Sequence, residues 1–219
     1  IYGTDVTFGF HTAVDVATEA IERVRTTAAS HGRTMLVEVM GNKAGWLTLY
    51  AGIAAGADAI LIPEIPFNID KVCEAVLNNY KAGKPCNIIA VAEGAVLDSE
   101  APYKKKERAF VRASRGETTV TSHLAEVIGE RTGAETRATV LGYIQRGGNP
   151  SAYDKALSTR LGSYAGMLAK EGRFGVTVAV SGSKITFNAL QDVAGKYKLV
   201  DPASEIVRAA EDIGVCMGR

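Results

Sequence analysis

The chain predicts an α/β fold: parallel sheet with helices on both faces. Segments with apolar residues at helical spacing alternate with short apolar runs of strand length, and that alternation is the signature of strand–helix–strand units. The strand-length runs are apolar throughout, as in Met35-Leu36-Val37 and Val39 around a lone Glu38, which suits strands covered on both sides. The chain has 219 residues, 47% of them hydrophobic, enough core for one large domain or two modest lobes.

Residues 12–30 place Ala13, Val14, Val16, Ala17, Ala20, Ile21 and Val24 along one helical face. Residues 33–40 read as a buried strand, and Gly41-Asn42-Lys43-Ala44-Gly45 as a tight loop. A small-residue-rich helix follows over 46–55. A second strand, 59–62, is stopped by Pro63. Asn68 starts a helix with Asp70 in its first turn, running to about residue 82. Residues 87–92 form a third strand, ending at Glu93-Gly94. The run Lys104-Lys105-Lys106-Glu107-Arg108 reads as a solvated helix face or a mobile loop, with anion binding as the lesser alternative. A helix over 121–132 leads to a fourth strand, in which the apolar residues 138–141 enter a core. A helix over 152–171 and a fifth strand over 175–180 complete the pattern. The sequence shows no internal repeat, low-complexity tract or interdomain linker.

Lys and Arg total 25 against 24 Asp and Glu, so no broad basic surface marks a nucleic-acid or membrane partner. Any anion site has to be a local cluster. The three cysteines, Cys73, Cys86 and Cys216, are scattered outside any metal-ligand spacing and read as buried thiols. No apolar run reaches membrane-spanning length and no signal peptide is recognised, which sets the expectation of a cytoplasmic protein. The opening Ile1-Tyr2-Gly3-Thr4-Asp5, without an initiator Met, sets the expectation of a piece of a longer chain.

In parallel α/β sheets ligands bind beyond the carboxyl ends of strands. Met40-Gly41, Glu93-Gly94 and the stretch from Tyr143 to Gly148 lie at such ends. The segment from Thr136 to Gly148 also carries Arg137 and Arg146 on either side of a strand, with a Gly-Gly turn after the second. Arginine presents a rigid fork of donors suited to phosphate, and paired glycines let backbone approach a ligand. On this motif alone, an anion site and a glycine-rich turn with two solvated arginines stand level. Arg33 alone reads as a cap on the preceding helix. Glu93 alone divides evenly between ligand acceptor and helix N-terminal acid, and Met40 alone reads as core packing.

Taken in order, Gly3-Thr4-Asp5 with Gly9-Phe10, Arg33, Glu38-Val39-Met40-Gly41, Ala44-Gly45, Ile62-Pro63-Glu64, Ala92-Glu93-Gly94, Glu135-Thr136-Arg137 and Gln145-Arg146-Gly147-Gly148 resemble the phosphofructokinase family, collinearly over almost the whole chain. The resemblance implies a two-lobe architecture and transfer of a phosphoryl group from ATP or pyrophosphate to carbon 1 of fructose 6-phosphate, with Mg²⁺, in glycolysis. It implies a fructose 6-phosphate lobe from residues 10–144 plus 197–219, and an incomplete donor lobe from 1–9 plus 145–196. Family segments that bind the donor and supply the catalytic base precede a Gly-Thr-Asp like Gly3-Thr4-Asp5, so the resemblance implies that residues 1–219 alone are inactive and lack the Mg²⁺ ligands.

The resemblance assigns Arg33 and Arg137 to the 6-phosphate of a neighbouring subunit, in a homodimer or homotetramer with shared sites. It assigns Arg146 to the same phosphate within the subunit, Met40 and Gly41 to a loop along the sugar, and Glu93 to the sugar hydroxyls. Tyr143 stands where many relatives have a histidine at the sugar phosphate. Asn42 stands where most have an arginine at the transferred phosphate, with Lys43 as a substitute charge one residue later. The stretch 95–118 resembles an insertion of the mixed-substrate or pyrophosphate branch. Arg25, Lys84 and Asp58 stand near positions of the family's effector site. Asn42 keeps open a second class, a non-catalytic sugar-phosphate-binding or regulatory lobe. A general Rossmann-type nucleotide binder is disfavoured, because no glycine-rich turn joins a first strand to a helix.

Overall fold

The computed structural model describes residues 1–114, 116 and 119–219, with the backbone alone at Lys105. Positions 115, 117 and 118, at the end of the insertion-like stretch 95–118, lie outside the described residues. The chain divides into two compact units, one of residues 1–13 plus 146–198 and one of residues 14–145 plus 199–219. The breaks fall at 13/14, 145/146 and 198/199, where the sequence reading draws them at 9/10, 144/145 and 196/197.

The larger unit is a parallel sheet of four strands: β1 Thr34–Val39, β2 Ala59–Leu61, β3 Asn87–Ala92 and β4 Thr136–Val140, in the order β2-β3-β1-β4. β1 and β3 are buried along their whole length, as two-sided coverage demands. One face packs on α1 (Phe10–His31) through Ala17, Ile21 and Ala28, on α2 (Trp46–Ala54) through Leu49 and Ala51, and on a late helix, Glu205–Asp212, through Val207 and Ala210. The other face packs on α3 (Ile69–Lys81) through Val72 and Val76, and on α5 (Val120–Thr132) through Leu124 and Ile128. Asn68 caps α3 by accepting from the Asp70 amide, and Gly133 ends α5 in the left-handed conformation. α4 (Lys105–Ser114) occupies the charged run that the sequence leaves between helix face and loop. The tail returns to this unit: Cys216 bridges to Ala59 along the outer edge of β2.

The fourth strand departs from expectation. Residues 138–141 are read as entering a core, yet β4 is an edge strand paired to β1 alone among the described residues, and Ala138 and Val140 are exposed. Only Leu141, just past the strand, joins the core. A short run such as Ala138-Thr139-Val140-Leu141 suits a buried strand and an edge strand alike, and pairing decides the difference.

The smaller unit corrects the fifth strand. β5 (Val176–Ser181) is not part of a parallel sheet; it forms an antiparallel hairpin with β6 (Lys184–Ala189), which the sequence reading omits. Gly182, at φ 58°, supplies the positive φ of the two-residue turn. Leu157 and Leu161 of α6 (Ala152–Lys170) pack with Val6, Val178, Val180 and Ile185. The Gly3-Thr4-Asp5 segment is fastened to the hairpin: the Val180 amide donates to Thr4 Oγ1 at 2.8 Å and the Gly182 amide to Asp5 Oδ2 at 2.6 Å.

One buried acid ties this unit's two chain segments. Asp154, 1% exposed, accepts from the Gly9 and Thr12 amides, both at 2.8 Å, and from Thr12 Oγ1 at 2.5 Å, capping the start of α1 from 142–145 residues away. Burial pushes its pKa up, but the bonds from Thr12 and Gly9 outweigh burial and hold it below the usual carboxylate value. A depressed folded-state pKa contributes stability above the ordinary carboxylate range, and that stability is lost as pH falls through the folded value. Asp154→Ala is therefore expected to lower unfolding free energy near neutral pH by about 1.5–3 kcal/mol, and the gap from wild type should narrow in acid; denaturant titrations at both pH values measure it.

Candidate functional site

Because all four strands of the larger unit are parallel, their carboxyl ends share one edge of the sheet. The loop after β1 collects there and is fixed by three acceptors. Met40 donates its amide to Gln145 Oε1 at 3.2 Å. Gly41 and Asn42 donate theirs to Glu93 Oε1 at 3.2 and 2.6 Å, so the acid after β3 clamps the loop after β1. Gly45, at the start of α2, donates to both oxygens of Glu64, whose Oε1 also accepts from the Val200 amide at 2.9 Å. Asn42 has φ 54°, the single positive value at a described non-glycine residue. Gly94 permits the closest approach: a Cβ there would stand 2.0 Å from the Asn42 carbonyl oxygen.

These loops open onto a cavity of about 690 Å³. Glu38, Asn42, Lys43, Pro63, Glu93 and Gly94 line it from the sheet side; Arg108 and Arg112 line it from α4. Arg112 is paired with Glu100, its Nε donating to Glu100 Oε1 at 3.2 Å, and Arg108 donates to the Tyr103 carbonyl at 2.7 Å. The cavity thus mixes hydrogen-bond acceptors with cations held by internal partners.

Met40, Gly41 and Glu93 come together here, with Lys43 alongside. Tyr143 lies in the 3₁₀ turn Gly142–Arg146 after β4, at the same edge, and is 80% exposed. Arg146 is exposed and falls in the smaller unit. Arg33 and Arg137 lie elsewhere. They stand at the amino ends of β1 and β4, where Thr34 pairs with Thr136, and both hold Glu135 Oε1, at 3.0 and 2.9 Å. The Arg33 hydrogen bond is the main force that keeps the Glu135 carboxyl below its usual pKa. A six-residue strand spans about 17–20 Å, so Arg33 and Arg137 cannot meet Glu93 of their own chain in one pocket. The arginines on either side of β4 thus belong to two locations, Arg137 with Arg33 at the amino end and Arg146 after the carboxyl end. Arg25 and Lys84 have internal partners: Arg25 donates to the Ala55 and Gly56 carbonyls at 2.6 Å, and Lys84 pairs with Asp58 at 2.8 Å.

Sequence reasoning missed Gln145, Glu64 and Arg112 as site residues, and for the run containing Arg108 it preferred a solvated face to an anion site. Gln145 is 1% exposed and sits inside the Gln-Arg-Gly-Gly motif, where the neighbouring arginine drew the reading. The question of where the Met40 amide finds an acceptor would have pointed to it. Nothing in the residue pattern shows that α4 turns Arg108 and Arg112 toward the loops, since charge runs on a helix usually face solvent.

The family model described as Phosphofructokinase matches residues 1–169. The chain belongs to the phosphofructokinase family. It is similar to the ATP-dependent 6-phosphofructokinase of Spirochaeta thermophila, 48% identical over 218 residues, covering all of this chain and 60% of that protein. It is equally similar to the pyrophosphate–fructose 6-phosphate 1-phosphotransferase of Amycolatopsis methanolica, 48% identical over 202 residues, covering 91% of this chain and 58% of that protein. Among solved structures, the phosphofructokinase of Saccharomyces cerevisiae superposes with a TM-score of 0.72 at 33% identity, over 87% of this chain and 24% of that one. The chain spans about 60% of the length of the curated relatives it matches.

The contact between Gly94 and the β1 loop gives a direct test of the clamp. The obstruction at Gly94 is backbone, so Gly94→Ala forces Asn42 to move, and overpacking of this kind costs about 1–3 kcal/mol. Gly83→Ala serves as the comparison for strain without a clash, since φ there is 83° and no atom lies within 4 Å of the added Cβ. Denaturant unfolding is expected to show the larger loss for Gly94→Ala, and only that variant should weaken ligand binding at the cavity.

Proposed function

We propose that the protein containing this chain is a 6-phosphofructokinase, transferring a phosphoryl group from ATP or pyrophosphate to carbon 1 of fructose 6-phosphate. The observation that carries the reading is the junction of Glu93 with the Gly41 and Asn42 amides at the mouth of a cavity lined by acids and arginines. Family membership supplies the chemistry to which that junction is fitted.

In this reading the carboxyl of Glu93 serves twice. Oε1 holds the loop, and the other oxygen accepts from a sugar hydroxyl. Met40 and Gly41 lie along the sugar, Tyr143 serves its phosphate, and Lys43 supplies positive charge where Asn42 has none. Arg33 and Arg137, at the far end of the sheet, act on the 6-phosphate bound by a neighbouring copy, so the protein is a homodimer or homotetramer with shared sites. Two guanidiniums prearranged on one carboxylate support that role, because a dianion binding beside them gains charge-assisted bonds from both. The donor stays open between ATP and pyrophosphate, since relatives of both kinds match at 48% identity. Mg²⁺ belongs to the proposal for the whole protein. Among the described residues no three His, Cys, Asp or Glu side chains gather as a metal site, and no residue of this chain is assigned to hold the ion. Among the described residues no helix is long and apolar enough to cross a membrane, and we place the protein in the cytoplasm.

Fructose 1,6-bisphosphate formation by the full-length protein, followed with each donor in turn, tests the reaction; no product with either donor refutes it. Arg137→Ala tests the shared site. The intrachain pair of Arg137 with Glu135 is largely exposed, and such pairs contribute little to folding, so the variant should fold. Loss of one charge-assisted phosphate contact costs about 1.5–3 kcal/mol, so KM for fructose 6-phosphate should rise about 10- to 150-fold with a smaller change in kcat. An unchanged KM would remove Arg137 from the site.

A further inference from the structure

β1 carries one acid in an otherwise apolar run. Glu38 is 7% exposed, and its Oε2 is buried with no hydrogen-bond partner among the described residues. Alternation along the strand puts it on the same face as Leu36, one step from the carboxyl end. There it lines the cavity together with Glu93, Lys43, Arg108 and Arg112. Neither arginine satisfies it, since Arg112 is paired with Glu100 and Arg108 bonds the Tyr103 carbonyl. A buried acceptor without a donor destabilises the folded chain, and Leu or Met would fill the same space without that cost. Packing alone therefore gives no reason for an acid at this position. Groups held at a cost to stability are found where a ligand uses them.

The surroundings decide which ligand. A phosphate is repelled from the floor of a cavity that holds two acids, Glu38 and Glu93. A metal ion requires more ligands than the described residues bring together. A neutral hydroxyl donor fits. Glu93 cannot serve several hydroxyls alone, because its Oε1 already accepts from Gly41 and Asn42.

We propose that Glu38 is a second substrate-binding carboxyl of this cavity, accepting a hydrogen bond from a sugar hydroxyl deeper in the site than Glu93. The inference rests on the phosphofructokinase reading and deepens it by naming the polyol recognition element. Removal of the acceptor strands a substrate hydroxyl, and sites built to bond a hydroxyl discriminate strongly when that bond is lost.

The test uses Glu38→Gln and Glu38→Leu in the full-length protein. We expect KM for fructose 6-phosphate to rise about tenfold or more in the Leu variant, and less in Gln, whose amide can turn its oxygen to the cavity. Inhibition by inorganic phosphate, which carries no sugar hydroxyl, should be unchanged, and the melting temperature should hold or rise. A KM within about twofold of wild type in the Leu variant overturns the inference. So does a lower melting temperature with equal weakening of fructose 6-phosphate and phosphate, which marks a packing role. A wild-type protein inert with both donors overturns the phosphofructokinase reading itself, and is distinguished by needing no variant.

Discussion

β1 is paired on both sides, with β3 along Thr34–Val39 and with β4 along Thr34 to Glu38, and the site depends on that double pairing. With helices on both faces as well, the strand is fully buried, and its side chains are apolar except Thr34 at its start and Glu38 where the cavity begins. It also aligns the ends of three strands, so that an acid after β3 and an amide after β4 both reach the loop after β1. The loop's backbone donors then have acceptors: Gln145 for Met40, Glu93 for Gly41 and Asn42. A loop held at successive amides is preorganised, and a ligand that binds it is spared the cost of ordering it.

The same pairing separates the arginines. Thr34 opposite Thr136 brings Arg33 and Arg137 to one carboxylate at the amino edge, while Glu93 and the β1 loop stand at the carboxyl edge. A parallel sheet gives one chain two chemically distinct edges. An acceptor-rich edge and a guanidinium-rich edge on one sheet are chemically complementary, which supports the proposed site shared between copies of the chain.

Much of the fold was legible in the residues. The helical spacing of Ala17, Ile21 and their neighbours, the unbroken strand at 87–92 and the Asn68 cap are local signals, and local chemistry decides them. β4 and the hairpin were not legible. Whether Ala138 and Val140 are core or edge depends on a neighbour strand that the sequence does not name, and the direction of β5 depends on a partner only two residues beyond its end. Within the site, Met40, Gly41 and Glu93 were visible as strand-end residues. Gln145 was not, because its task is to satisfy a backbone amide 105 residues away.

The sequence by itself determined the α/β class and the family, and it offered the residue types of the proposed site: a Met-Gly loop, an acid at a strand end, arginines on either side of a strand. These come from periodicity and from short motifs, which are properties of neighbours along the chain. The tertiary structure alone decided which of those residues share a pocket. It put Glu93 against the Asn42 amide, sent Arg33 and Arg137 to the opposite edge, turned two arginines of α4 toward the cavity, and left Glu38 buried with one oxygen unbonded. Each of these depends on strand order and register, which are set by packing between segments far apart in the chain.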